Sequence, residues 1–416
     1  SNSGETWYAE YGLEKDELIN VKIIKVLTNF NGKNMGTEAG LSDWINNYDI
    51  KINSVKSDFE DFAKSFKFPS GDLNNEHRKA YYNFIWGIWV GSVCQIDESD
   101  ISSNYYVDGK SRCSITPNIE NYWKNFIWDS SMTLWGYVAA IDTDTATQFV
   151  KDIPEDSLKV IVSVQDKYPT IDDWEASVGQ FTIQSGGSQP AELFGLPVLW
   201  LYEKGLIDSS FMCNDFFPAY YSHFEKMIDL AGNDYRVQRN PGVYGRDGTD
   251  AFDLLGQGEN PDPNAGAGMM ALVLMTMADK CEEYALIDYF ATEHNKIRNA
   301  YEEFWNSENN LYQTLDEDGG FLIPSSQDIS ATPFAQCIPI AMDWTTTIRT
   351  QSIFNALESG FMDTYGYTGL HTSHHCYNPT GESTSCTYGD TFEGPTWDWV
   401  DNIFCQHAFR EQIQKF

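Results

Sequence analysis

The chain predicts a mainly α fold in which helical hairpins close into a ring, and three observations carry that prediction. Apolar residues recur at spacings of three and four in segment after segment, the mark of helices with one buried stripe. Those segments are separated alternately by short turns and by long loops rich in Gly, Pro, Asp and Ser, as expected if antiparallel hairpins gather their long loops on one face. No extended run of alternating apolar and polar residues predicts a sheet.

Taken in order, residues 1–50 are less periodic and are expected to form a peripheral segment of one 416-residue domain, since no break in composition marks a second. The first clear helix covers 54–66, where Val55, Phe59, Phe62, Ala63 and Phe66 share a face. Similar patterns predict helices over 77–94, 130–151, 190–205, 215–231, 264–285, 289–305, 347–359 and 396–415. Asp142 or Thr143 reads as a cap near 145–151, and Asp288 as one near the start of the helix ending at Phe304. The apolar run from Ala265 to Ala278 reads as a buried helix, because it falls short of the roughly 18 residues that span a bilayer. The long loops fall at 98–120, 232–264, 314–333 and 360–395, and Asp316 to Gly320 reads as a tight turn rather than half a calcium loop.

Composition narrows the function. A formal charge of −34 excludes nucleic acid as a partner and disfavours anionic membranes, because phosphate binding needs clustered Lys and Arg. Aromatics make up 15% of the chain, with 13 Trp and 23 Tyr, an excess that favours stacking surfaces for sugar rings. Eight cysteines include no closely spaced CxxC pair of the kind zinc sites use. Cys94 with Cys113, and Cys376 with Cys386, flank polar loops and are the expected bridges, whereas Cys213 and Cys281 read as free thiols buried in apolar helices. The opening Ser-Asn-Ser-Gly is neither a methionine start nor a signal peptide, so a processed chain in a secreted or periplasmic setting is expected.

The chemistry concentrates in residues 240–253, where Asp247, Asp250 and Asp253 stand on a glycine-bracketed turn. Like-charge repulsion among them, with desolvation by walls such as Tyr244 and Trp128, would raise one carboxyl toward the range of a proton donor. Glycosidic cleavage needs such a protonated acid facing an ionised carboxylate. The competing reading is that these aspartates cap a helix or occupy turn positions.

Several short motifs stand in order around that turn. Asn121 to Asp129 resembles the Tyr/Trp-rich Trp-Asp segment of glycoside hydrolase family 63 and its trehalase relatives, and Ser188-Gln189-Pro190 resembles their Ser-Gln-Pro-Pro. Val243 to Asp247 falls where those enzymes carry Glu-Ser-Gly-x-Asp, Asp262-Pro-Asn264 falls on a following Asp-x-Asn, and Phe392 to Trp397 resembles their Gly-Pro-x-Trp segment. The resemblance spans about residues 75 to 410. It implies an (α/α)6 toroid, a six-hairpin barrel, that inverts an α-glucosidic or related oligosaccharide linkage without cofactor or metal. It further implies Asp247 as general acid, with Trp128, Asp129, Gln189, Tyr244, Asp250 and Trp397 holding the sugar. The family's base glutamate lies on a last hairpin after Gly-Pro-x-Trp, and this chain stops at Phe416; Glu382 and Glu393 are then the base candidates, unless a second chain supplies the hairpin. His371, His374 and His375 in the same loop read as solvated rather than as zinc ligands. Tyr244 stands where the family has a glutamate and Gly187 where it has an arginine, so a silent carbohydrate-binding or structural relative is the alternative. A helical-barrel lyase, which would use Tyr and His, is a third reading.

Overall fold

In the computed structural model of the chain, the residues described are 47–68, 74–94, 106–107, 110–115, 127–167, 194–236, 259, 261–316, 318–321, 331, 333–363 and 366–367. The chain divides into two units, Ser1–Asp61 and Phe62–Phe416. The described part of the first unit is helical, the body of α1 (Tyr48–Ala63), whose last two residues belong to the second unit.

The second unit is mainly α. After α2 (Asn75–Gly91), capped by the Asn74 carboxamide accepting from the His77 amide at 2.8 Å, come four short strands: β1 (Ser92–Cys94), β2 (Tyr106–Val107), β3 (Lys110–Ser111) and β4 (Cys113–Ile115). They pair antiparallel as β1 with β4 and β2 with β3. Helices α3 (Ile127–Ala140), α4 (Gln148–Lys167), α5 (Gly195–Glu203) and α6 (Phe217–Ala231) follow, the last entered through a helical lead-in over 209–216. Then come α7 (Pro261–Lys280), α8 (Tyr284–Tyr301), a hairpin of β5 (Trp305–Asn306) and β6 (Leu311–Tyr312), α9 (Pro333–Ala341), α10 (Thr347–Gly360) and a last hairpin, β7 (Met362–Asp363) with β8 (Gly366–Tyr367). This is the all-α toroid class.

The helices alternate between two environments. Helix α7 buries 15 of its 20 residues, while α8 buries five of 18, so α7 is enclosed and α8 backs it. Packing of α3 on α5, α5 on α7 and α7 on α9 makes these four an inner row. Glycines allow close approach behind it: a Cβ on Gly136 of α3 would stand 2.3 Å from Phe84 of α2, and one on Gly268 of α7 the same distance from Trp344. All four inner helices contribute to one cavity of about 240 Å³, touched by Trp135, Leu196, Trp200, Met269, Thr276 and Ala341. Each inner helix is preceded by a longer connection, while turns of a few residues join it to its outer neighbour.

Several expectations change. The helix expected over 130–151 is two helices, because after Ala140 the chain leaves helical geometry to bridge Ile141 with Phe66; the Lys67 amide donates to the Ala140 carbonyl at 2.7 Å and the Asp142 amide to the Ser65 carbonyl at 2.8 Å. Helix α4 then continues to Lys167 through Pro154. A proline there deprives the carbonyl four residues back, that of Val150, of its helical donor, and the Tyr137 hydroxyl donates to it instead. Helix α9, with Pro339 inside it, lay in no predicted segment, and the same device serves it: the Tyr301 hydroxyl donates to the Ala335 carbonyl. Asp288 is interior to α8, which starts at Tyr284 after Glu282 takes a left-handed φ of 61°. Cys213 and Cys281 are not free thiols but form a disulfide across 68 residues, tying the lead-in of α6 to the end of α7. Periodicity reports burial, not partners. Cys113 is disulfide-bonded and faces Cys94 in the β1–β4 register, and among the described residues no cysteine is free. Cys376 and Cys386 lie outside the described residues. Asp316 closes the expected tight turn, its carboxylate accepting from the amides of Asp318 at 3.0 Å and Gly320 at 2.7 Å.

Candidate functional site

The candidate site is built on the first turns of the inner helices α3 and α7. Trp128 and Asp129 lie in the first turn of α3, so the backbone of the Trp-Asp motif opens an inner helix. Asp262 and Asn264 occupy the first turn of α7 and are 1% and 0% exposed. Burying a carboxylate and a carboxamide beside free helical amides is favourable in a way that burial elsewhere is not, because those amides and the positive end of the helix dipole face them.

Around that turn the structure builds a rigid polar frame. Glu259 pairs with Leu315 in both directions, amide to carbonyl at 2.8 and 2.9 Å. Its carboxylate meets Arg236 at 2.9 Å, and the same guanidinium reaches Asp234 at 3.2 Å and Glu303 at 3.4 Å. Tyr235, at a left-handed φ of 60°, takes a hydrogen bond of 2.8 Å from Lys296, which also holds Glu293 at 2.8 Å. Residues 235, 236 and 259 bracket residues 237–258, so the two ends of the acid-bearing segment are fastened to one another and to α8.

Close to Asp262 stands Tyr301, whose ring centroid lies 4.6 Å from that of Tyr312. Burial pushes the Tyr301 phenol well up, with Tyr312 and Asp262 adding to the effect, and burial raises Tyr312 to about 12 against the pull of Arg349. Both phenols therefore stay protonated. Gln336 of α9 spans the Tyr312 backbone, accepting from its amide and donating to its carbonyl, each at 2.8 Å. This frame has hydrogen-bond donors and fixed acceptors but no described nucleophile, and among the described residues no group of three or more His, Cys, Asp or Glu side chains could hold a metal.

Of the residues expected from sequence, Trp128 and Asp129 are placed in the backbone of α3, without their side chains being described. Asp247, Tyr244, Asp250, Gln189, Glu382, Glu393 and Trp397 lie outside the described residues. The Arg236–Glu259 clamp was not anticipated, and only the charges at either end of the 232–264 loop could have signalled it. Nor was His223 of α6, which is fully buried and held near pKa 4 by that burial. No described helix is long and apolar enough to cross a membrane.

No protein-family model and no curated protein matches the chain. Solved structures do. An uncharacterized conserved protein from Thermus thermophilus superposes with a TM-score of 0.56 at 14% identity, covering 79% of this chain and 86% of that one. A GH63 mannosylglycerate hydrolase from the same organism, in complex with Tris, gives 0.51 at 15%, covering 72% and 83%. A protein described as a sialidase gives 0.50 at 12%, covering 85% of this chain and 28% of the other. At such identities the likeness establishes a glycosidase-type fold.

Proposed function

We propose that the chain is a glycoside hydrolase of the family 63 type, inverting an α-glucosidic or related oligosaccharide linkage, with Asp247 as general acid. The observation that carries this reading is the fastening of both ends of the Asp247 segment, through Arg236 and Glu259, beside the first turn of α7 in a glycosidase-type toroid. Proton transfer in the transition state requires a well-placed carboxyl, and the clamp fixes where the chain leaves at Arg236 and returns at Glu259.

In this mechanism Asp247 protonates the leaving oxygen while Glu393 or Glu382 activates a water on the opposite face, at a carboxyl separation of roughly 6.5–9.5 Å. Trp128 stacks on the terminal ring, and Asp129, Gln189, Tyr244, Asp250 and Trp397 bind its hydroxyls and flanks. A secreted or periplasmic location suits the Cys213–Cys281 bridge. The test is the Asp247→Asn variant against a panel of nitrophenyl α-glycosides and α-linked disaccharides. Loss of release with an unchanged melting curve is expected, and undiminished hydrolysis overturns the assignment. Parallel Glu382→Gln and Glu393→Gln variants identify the base.

Tyr244 and Gly187, where the resembled family has glutamate and arginine, favour a second reading, a silent carbohydrate-binding relative. Calorimetric binding of a glycan that the unmodified protein never cleaves would select it.

A further inference from the structure

The cavity touched by all four inner helices lies away from the first turn of α7, which carries Asp262. Met269 and Thr276 of α7 both line it, seven and fourteen residues beyond Asp262, so at the helical rise it lies roughly 10–20 Å from the first turn of α7. We propose that it is a binding site for a small neutral aromatic molecule of bicyclic size. This inference does not depend on the chain being a glycosidase.

Three features of the cavity specify the ligand. Its lining comes from four helices and is apolar except for the Thr276 hydroxyl and two indole nitrogens. The Thr276 hydroxyl is already committed to the Leu272 carbonyl at 3.0 Å. An ordered water needs two to four polar partners, so this space favours an apolar guest over water. Second, Trp135 and Trp200 meet edge to face, with centroids 5.0 Å apart, and present aromatic surface beside the thioethers of Met269 and Met342, which adapt to flat guests. Third, the volume of about 240 Å³ exceeds the ~150 Å³ engineered cavity that holds benzene, and in proportion accommodates roughly nine or ten non-hydrogen atoms, the size of indole or naphthalene. Thr276 and Ala341 are exposed at the rim, so the cavity has an entrance. A macromolecular partner fits less well, since stable interfaces bury on the order of 800 Å² per side and this opening is a pit rather than a face.

The experiment titrates indole into the full chain by calorimetry and follows peroxide oxidation of Met342 by peptide mass. Saturable binding of one indole per chain and slowed oxidation of Met342 are expected. Thr276→Phe and Ala341→Phe, substitutions at exposed positions that fill the cavity, should each weaken binding by about tenfold or more without shifting the melting temperature. Absence of saturable binding, unaltered Met342 oxidation at saturating indole, or unchanged affinity in a variant that melts like the parent overturns the proposal. The oxidation readout uses the unmodified protein, so it decides even if both variants fail to fold.

Discussion

Replacing His223 by leucine should change how the stability of the protein depends on pH. His223 lies on α6 at 2% exposure, and burial lowers its pKa from 6.5 to about 4. The folded protein therefore holds a neutral imidazole that the unfolded chain would protonate. Because the folded value is the lower one, this stabilisation is fully present above pH 6.5 and is lost as pH falls toward 4. Between pH 7.5 and pH 5, linkage gives a loss of about 2 kcal/mol from this one group. That window stays above the sequence isoelectric point of about 4.3, where solubility would fail. The 61 acidic residues impose their own pH dependence, but it is common to both proteins and cancels in the difference. Urea unfolding followed by circular dichroism at pH 5, 6 and 7.5 should show the gap between wild type and His223→Leu shifting by about 2 kcal/mol in favour of the variant as pH falls. Two stability curves that stay parallel across the range would refute a buried neutral histidine.

Three further outcomes are expected. Replacing Cys213 and Cys281 together by alanine should destabilise the protein by about 4 kcal/mol, the loop-closure entropy of a 68-residue loop, read from denaturant midpoints; a change under about 1 kcal/mol would contradict it. Tyr137→Phe strands the Val150 carbonyl, already without its helical donor at Pro154, and should cost ~1–3 kcal/mol; hydrogen exchange in the first turns of α4 should quicken, and equal protection would argue against the role. Glu259→Leu leaves Arg236 without its most buried partner and should cost ~1–3 kcal/mol, together with a fall in any glycosidase turnover; an unchanged urea midpoint would show that the clamp is incidental.

The helical class was legible because burial in helices leaves a local trace. Residues 54–66, 264–285 and 289–305 announced their helices through spacings of three and four, and each is found as α1, α7 or α8 with its ends displaced by three to six residues. The break after Ala140 was not legible, since Ile141 leaves the helix only because Phe66, 75 positions earlier, is there to bridge it. The site was half legible. Trp128-Asp129 and Asp262-Pro-Asn264 stood out as motifs, and their backbones open inner helices, yet the clamp joining Arg236 to Glu259 has no signature in either residue's neighbourhood.

Local order therefore set the helical content, because it depends on residues within a turn or two of one another, and the acidic balance follows from composition alone. Tertiary contact alone decided which thiols join, which carbonyls are rescued and where a loop is pinned. Pro154 and Pro339 illustrate why: each removes a donor locally, and the replacement hydroxyl comes from a tyrosine 13 residues before the stranded carbonyl in one case and 34 before it in the other. A hydrogen bond of that kind forms only after the helices have packed, and nothing in the flanking residues encodes its partner.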